Sequence, residues 1–217
     1  MMKRRDFVTA GLLVLFLLVS VAFAQSGKQY VCPPCGCSHD GIEHAALGQC
    51  PVCGMAFVDK TSINEAAAIP NFLKLSSQVW TGGQPTLDQL TRLKQEGAKA
   101  VINLRPPSEN NDEGVREAAR LKELGLPYFN IPVVYTLPLS KDADMFLKIT
   151  DEQLKNGPVF IHCAVAIRVG AFWMIRRVLR DGWDIDRALE EAHKIGLGNQ
   201  QHLIAFANEY IDKNKKK

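Results

Sequence analysis

Two groups of residues in this chain have the types and spacing for chemistry. The first is the run His162, Cys163, Ala164, Val165, Ala166, Ile167, Arg168, in which four residues separate a thiol from an arginine. Before it stands the short apolar run Val159, Phe160, Ile161, opened by a Gly157-Pro158 turn signal; after it, Val169, Phe172, Trp173, Ile175, Val178 and Leu179 recur at helical spacing. This order predicts a buried strand, a tight loop and a helix, with Cys163 at the strand end and Arg168 in the first helical turn. The first amides of a helix have no intrahelical partner, and the aligned peptide dipoles place a partial positive charge there. Such a field, with a cation nearby, draws a cysteine from its ordinary pKa of about 8.5 toward roughly 3.5 to 7.5. Cys163 is therefore expected to be a thiolate nucleophile. Arg168 supplies a planar fork of donors for two oxygens of a phosphate or sulfate, and Ala164, Val165, Ala166 and Ile167 form the anion-binding loop. The competing reading makes Cys163 a small core hydrophobe and Arg168 a solvated helix residue. The combined pattern favours chemistry over either residue acting alone.

The second group is YVCPPCGCSHDGIEHAALGQCPVCGMAFV, Tyr30 to Val58, which holds five of the six cysteines. Cys32 with Cys35 and Cys50 with Cys53 form two C-x-x-C pairs separated by fourteen residues, near the zinc-ribbon spacing. Each pair is a tight turn that aims two sulfurs at one point. Four such sulfurs suit a tetrahedral structural zinc, with Cys37 and His39 as alternative ligands and copper(I) sensing or delivery as a second use. Disulfides compete in an exported chain, but five is an odd number and the repeated C-x-x-C favours metal.

These residues need elements to hold them. Val79-Trp80 reads as a short strand ending at Gly82-Gly83. Thr86 with Gln89 makes a capping box for a helix over Leu87 to Glu96. Ala100 to Leu104 is a buried strand, Glu113 to Leu124 a helix, and Tyr128 to Ile131 a strand. Ser140 caps a helix to about Lys155, and Ile185 to Ile195 and Gln201 to Ile211 add two more. Trp173, Trp183 and Phe206 are expected in the core. Strands alternating with helices predict an α/β fold, a central parallel sheet flanked by helices, with a small zinc-ribbon-like module before it. Arg105 to Glu113 is expected to be a loop at a strand end, on the same rim as Cys163. It carries Glu109 and Asp112, the candidate proton donors, and Arg105, which adds positive field or covers the sheet edge. His162 is expected to hydrogen-bond and steady the loop.

Four stretches, VWTGGQPTLDQL, AVINLRPPSEN, LPYFNIPV and GPVFIHCAVAIRVGA, resemble the phosphatase-like domain of beta-lactamase-hydrolase-like proteins, a divergent branch of the tyrosine and dual-specificity cysteine phosphatases. The likeness spans about the C-terminal two thirds of the chain. It implies a phosphatase-like fold, Cys163 as nucleophile, Arg168 as the anion-binding arginine and no cofactor for catalysis. Two features depart from that family. Its loop usually has five residues, with a glycine, and Ser or Thr follows the arginine; here there are four, none is glycine, and Val169 follows. Four is typical of rhodanese-type sulfurtransferases, whose loop holds a persulfide. The leaving-group acid that many relatives carry after the strand here reading IPVVYT is also missing, so Glu109 or Asp112 would have to replace it. Three functions stay open: a phosphatase-like hydrolase, a sulfurtransferase, or a metal-binding module without catalysis. The Cys-rich part, beginning Tyr-x-Cys-Pro and ending Cys-Pro-x-Cys-Gly-Met, resembles the small heavy-metal-binding module found beside copper-transporting proteins.

The chain has 217 residues, 47% hydrophobic and 23% charged, which excludes a disordered protein and accommodates one sizeable core plus a small module. Residues 1–24 read as an export signal: basic Lys3, Arg4 and Arg5, an apolar run from Gly11 to Val21, and Ala22-Phe23-Ala24 before Gln25. Arg4-Arg5 also resembles the twin-arginine pattern. The apolar run is shorter than the about 20 residues that span a bilayer, so cleavage and a periplasmic location are expected, with membrane attachment only if the signal is retained. The remaining chain is near neutral apart from the tail Lys213, Lys215, Lys216, Lys217, which excludes a nucleic-acid footprint. Expected partners are small phosphate- or sulfur-containing substrates. The resulting organisation is a signal over 1–24, the Cys-rich module over 28–58, a linker over 59–71 and the catalytic domain over 72–213.

Overall fold

The computed structural model describes residues 29–32, 37–39, 42–60 and 69–215; the expectations for residues 1–24, for Cys35 and for residues 61–68 lie outside them. Four short apolar strands, β5 (Val79–Gly82), β6 (Ala100–Asn103), β7 (Tyr128–Asn130) and β8 (Val159–His162), run parallel, with β8 between β5 and β6. A two-residue strand, β4 (Leu73–Lys74), adds antiparallel outside β5, so the order is β4-β5-β8-β6-β7. Every residue of β5, β6 and β8 is buried, as a sheet covered on both faces requires, and their runs are accordingly continuous instead of alternating.

Helices α1 (Leu87–Gln95) and α2 (Pro107–Glu123) cover one face, packing Leu90, Leu93 and Leu121 with Trp80, Val101 and Phe160. Helices α3 (Ser140–Gln153), α4 (Ile167–Leu179), α5 (Ile185–Ile195) and α6 (Gln201–Asn214) cover the other, around Phe146, Phe172 and Trp173. Phe146 and Phe172 meet edge to face at 5.6 Å, the orientation that ring quadrupoles favour. Trp183 and Phe206 sit only partly buried at the core margin, and Arg177 and Arg187 stack over the Trp183 ring at 4.3 and 3.6 Å.

The capping box at α1 forms as read from sequence, with Thr86 Oγ1 accepting from the Gln89 amide and Gln89 Oε1 accepting from Thr86. Two boundaries differ. The segment read as a loop is helical from Pro107: Pro106 stands at the cap and the second proline takes the first helical position, where its missing N–H costs nothing. Glu109, Asp112 and Glu113 therefore project from a rigid helix. Ser140 does not cap α3 but begins it; the Leu139 amide is satisfied by Asp142 Oδ2 at 3.0 Å.

The Cys-rich module is a three-stranded antiparallel sheet of β1 (Tyr30–Val31), β2 (Glu43–His44) and β3 (Val58–Asp59), ordered β2-β1-β3. Its core is Cys32, Cys50, Met55 and Phe57, too small to hold a fold without further support. Ile69 and Phe72 are buried with Trp80 in the larger domain, so that domain is packed from residue 69 onward. No helix among the described residues is long and apolar enough to cross a membrane.

Candidate active site and metal centre

Cys163 follows the last residue of the central strand β8, at the carboxyl end of the parallel sheet, where ligands bind in open α/β folds. The four residues after it form the loop into α4, and that loop is pinned from behind. The Ala164 carbonyl accepts from the Gln84 amide at 2.9 Å and the Val165 carbonyl from Asn71 Nδ2 at 2.7 Å. Gly83 makes this approach possible, because a Cβ there would lie 2.5 Å from the Ala164 oxygen. With these carbonyls held backwards and an antiparallel backbone bridge between Gly83 and Val165, the loop is fixed against the end of β5. Ala166, the cap of α4, is fully buried at φ 65°, a left-handed conformation that costs an alanine about 1 kcal/mol.

Arg168 is the second residue of α4 and only 3% exposed. Its Nη1 donates to Glu109 Oε1 at 2.9 Å and to the Val133 carbonyl at 2.9 Å, and its Nη2 donates to Glu109 Oε2 at 2.6 Å. Of the five guanidinium N–H groups, these contacts leave Nε and one on Nη2, and the guanidinium also shares a hydrogen bond with Cys163. Burial works to lower the arginine pKa, but the hydrogen bonds and charges of Glu109 and Cys163 outweigh it, so Arg168 stays a cation.

Behind Cys163, His162 is fully buried, stacked on Phe160 at 5.4 Å, with Nδ1 3.3 Å from the Cys163 carbonyl and Nε2 2.8 Å from Glu117 Oε1. The last contact is short although the ring N–H does not point along it. Glu117 is 1% exposed, and its other oxygen accepts from Gln84 Nε2 at 3.2 Å and Asn103 Nδ2 at 3.0 Å. Burial alone would raise the Glu117 carboxyl; the nearby His162 charge, with the hydrogen bonds from Gln84 and Asn103, brings it below the ordinary carboxylate value. Burial and the Glu117 charge push the Tyr128 hydroxyl up to about 12, and that hydroxyl accepts from Asn103 Nδ2. Gln84 also accepts from Arg105 Nη1 at 2.6 Å, and Arg105 Nη2 donates to the Glu109 carbonyl at 2.6 Å. A chain of polar contacts thus runs from His162 through Glu117, Gln84, Arg105 and Glu109 to Arg168.

Of the two candidate acids, Glu109 commits both oxygens to Arg168 and Asp112 is exposed on α2. Arg105 lies in the polar chain instead of covering the sheet edge. Glu117, Gln84, Asn103 and Asn71 escaped the sequence reading. Asn103 alone left a signal, as a polar residue inside the apolar run Ala100 to Leu104.

In the small module, the sulfurs of Cys32, Cys37, Cys50 and Cys53 gather within 4.8 Å of one another. Cys32 lies 3.5 Å from Cys53 and 3.8 Å from Cys37, and Cys37 lies 3.9 Å from Cys50. Tetrahedral zinc with Zn–S of about 2.3 Å separates its sulfurs by about 3.8 Å, so the four fit that ion. Cys37, read as an alternative ligand, is one of the four, and His39 is outside the group. Burial raises the Cys50 thiol, but hydrogen bonds from the Cys53 and Val52 amides and from the neighbouring sulfurs bring it down to about 7, which suits a metal ligand.

A parallel sheet between two helical layers, with a buried cysteine, a four-residue loop and a helix-borne arginine at the strand ends, defines a phosphatase-like hydrolase of the cysteine-phosphatase fold. The chain belongs to the family described as DSP-PTPase phosphatase fused to NAD+ kinase, whose model matches residues 55–204. A beta-lactamase hydrolase-like protein of Xylella fastidiosa (strain Temecula1 / ATCC 700964) is 28% identical over 128 residues, 57% of this chain but 29% of that protein, so the chain spans under a third of that relative's length. Among solved structures, a candidate phosphatase (DUF442) from Shewanella putrefaciens CN-32 superposes with a TM-score of 0.57 at 25% identity, covering 69% of this chain and 96% of that one. P. aeruginosa TpbA matches in fold with a TM-score of 0.52 at 20% identity, covering 70% and 92%, and a variant of it has been solved in complex with pTyr.

Proposed function

We propose that this protein is an exported, Cys163-dependent phosphatase acting on phosphate monoesters, preferably aryl ones. The observation that carries the reading is the loop itself: four residues lead from Cys163 at the end of β8 into the first turn of α4, whose Arg168 guanidinium reaches the thiol by charge and hydrogen bond. A phosphate seated there has its oxygens held by amides and by the Nε and Nη2 edge of Arg168, the preorganised charge complement that phosphoryl transfer requires. Cys163 Sγ attacks phosphorus; the S–P bond forms as the ester P–O bond breaks, giving a phosphocysteine. Water then attacks phosphorus, the S–P bond breaks, orthophosphate leaves and the thiolate is restored. Glu109 serves as a positioning residue that turns the arginine. With Glu109 bound end-on to Arg168 and Asp112 exposed, the leaving oxygen departs without a donated proton. A phenol-like leaving group, with a pKa of about 10, tolerates that better than an alkyl alcohol. The phosphotyrosine bound to the TpbA variant agrees with an aryl substrate. The test is turnover of aryl against alkyl phosphates. Aryl activity that is blocked by vanadate and absent in Cys163→Ser supports the reading; no phosphate release by the wild type sinks it.

The four-residue loop favours a second reading, transfer of sulfur through a Cys163 persulfide, because one added sulfur needs less room than a phosphoryl group and no leaving-group acid. A thiol-removable adduct of one sulfur mass on Cys163 after incubation with thiosulfate, in protein that releases no phosphate, would put this reading first. For the module we propose one structural zinc on Cys32, Cys37, Cys50 and Cys53. Export rests on the basic, apolar and small-residue pattern of residues 1–24; mature protein beginning at Gln25 in a periplasmic fraction is the expected result.

A further inference from the structure

The four-cysteine module is set directly against the catalytic loop, with one short segment, residues 196–200, between them. On the module side, the Asn199 side-chain amide lies where a Cβ on Gly54 would be, 2.2 Å away, and a Cβ on Gly198 would come within 2.7 Å of the Cys53 carbonyl oxygen. On the catalytic side, a Cβ on Gly196 would meet the Val165 carbonyl at 3.3 Å, Asn71 Nδ2 at 3.4 Å and the Ala166 Cβ at 3.5 Å. Gly196, Leu197 and Gly198 are all buried, so the segment is packed from both sides. A cavity of about 220 Å³ lies along the same seam, with Cys37, Cys53 and Met55 on one wall and Val165 and Ile167 on the other. The ligand turn and the anion loop are thus joined by van der Waals contact through a few residues.

We propose that metal occupancy at Cys32, Cys37, Cys50 and Cys53 sets the conformation of the Cys163–Arg168 loop. The loop stores strain in Ala166 at φ 65°, and such a conformation persists only while its surroundings hold it. Its outer wall is residues 196–198, and their wall in turn is the Cys50–Gly54 turn, which a four-thiolate ion fixes. Without the ion the turn has little core of its own, the segment loses its backing, and the loop relaxes toward ordinary φ, uncovering Cys163, now 1% exposed. Loss of the metal therefore opens the site and spoils its anion geometry. The proposal rests on the anion-loop reading above, but its main readout, the reactivity of Cys163, needs no phosphatase activity.

The experiment uses the full exported chain under a non-thiol reductant, zinc-loaded, chelator-treated, and zinc-restored. Iodoacetamide labelling is followed by mass spectrometry on the peptide carrying Cys163, and amide hydrogen exchange on residues 164–169. The expected result is about tenfold faster labelling of Cys163 and faster exchange of the loop after chelation, both reversed by zinc. In Asn199→Ala, which removes the interlock with Gly54 while leaving all four thiols, zinc is still bound but the labelling ratio falls to about threefold or less. Equal labelling and exchange of the loop with and without zinc would overturn the proposal, as would an undiminished ratio in Asn199→Ala. Phosphate release measured on the same samples tests the catalytic reading separately.

Discussion

Glu109 and Arg168 meet end-on, Oε1 to Nη1 at 2.9 Å and Oε2 to Nη2 at 2.6 Å, although 59 residues separate them in the chain. The carboxylate comes from the first turn of α2 and the guanidinium from the first turn of α4. The pair uses the terminal nitrogens of the guanidinium, which also interacts with Cys163 by charge and hydrogen bond.

Replacing Glu109 by Gln keeps the shape of this contact and removes its charge. Charged hydrogen bonds contribute about 1.5–3 kcal/mol, so kcat/KM for an aryl phosphate is expected to fall roughly 10- to 100-fold in Glu109→Gln while the melting temperature changes little. If Glu109 were instead the proton donor, the loss would be large for alkyl and small for activated aryl esters. Comparing the two substrate classes separates positioning from proton transfer.

The buried Glu117 couples stability to acid. Its folded pKa lies below the ordinary carboxylate value of 4.5, so it contributes stability that is fully present above that value. That contribution is lost as pH falls through the lower, folded pKa, when the carboxylate beside His162 must accept a proton. Urea midpoints taken from pH 7 down to pH 3 should show a steep acid limb in the wild type. In Glu117→Gln the protein is expected to be weaker at pH 7, and the gap to wild type should narrow as pH falls below the ordinary carboxylate value of 4.5. A constant gap across the range would remove Glu117 from the acid transition.

Ala166 holds its left-handed conformation without being glycine. Ala166→Gly removes the Cβ penalty, and the unfolded chain gains freedom in return, so stability should change by no more than about 1 kcal/mol. Ala166→Val adds branched bulk at a fully buried site with positive φ, and a loss of about 2 kcal/mol or more is expected from denaturant titration. A tolerated valine would show that the loop adopts another conformation.

At the metal centre the prediction concerns which thiols matter. Zinc content of about one per chain is expected, lost in Cys37→Ser as fully as in Cys50→Ser and kept in Cys35→Ser. Retention of zinc in Cys37→Ser would restore the pairing read from the C-x-x-C spacing.

How much of this was legible in the residues follows from which interactions are local. The strand, loop and helix around Cys163 could be read because apolar period, turn residues and a helix start are all set by neighbours in the chain, and so could the Thr86–Gln89 cap. The alternation of strands and helices was enough for a parallel sheet, though the antiparallel edge β4, two residues long, carries no pattern of its own. The start of α2 was misplaced because Pro106-Pro107 reads as a breaker from one side and as a helix start from the other, and only the packed sheet decides between them. That the Cys37 sulfur joins those of Cys32, Cys50 and Cys53 needed the turns to be folded in space, since equal chemistry at several spacings cannot be ranked from the chain alone. The pairing of Glu109 with Arg168 joins α2 to α4, and that of Glu117 with His162 joins α2 to the end of β8, each across tens of residues. A buried charge has no local signature, because what makes its burial tolerable is a partner that only the tertiary fold brings within reach.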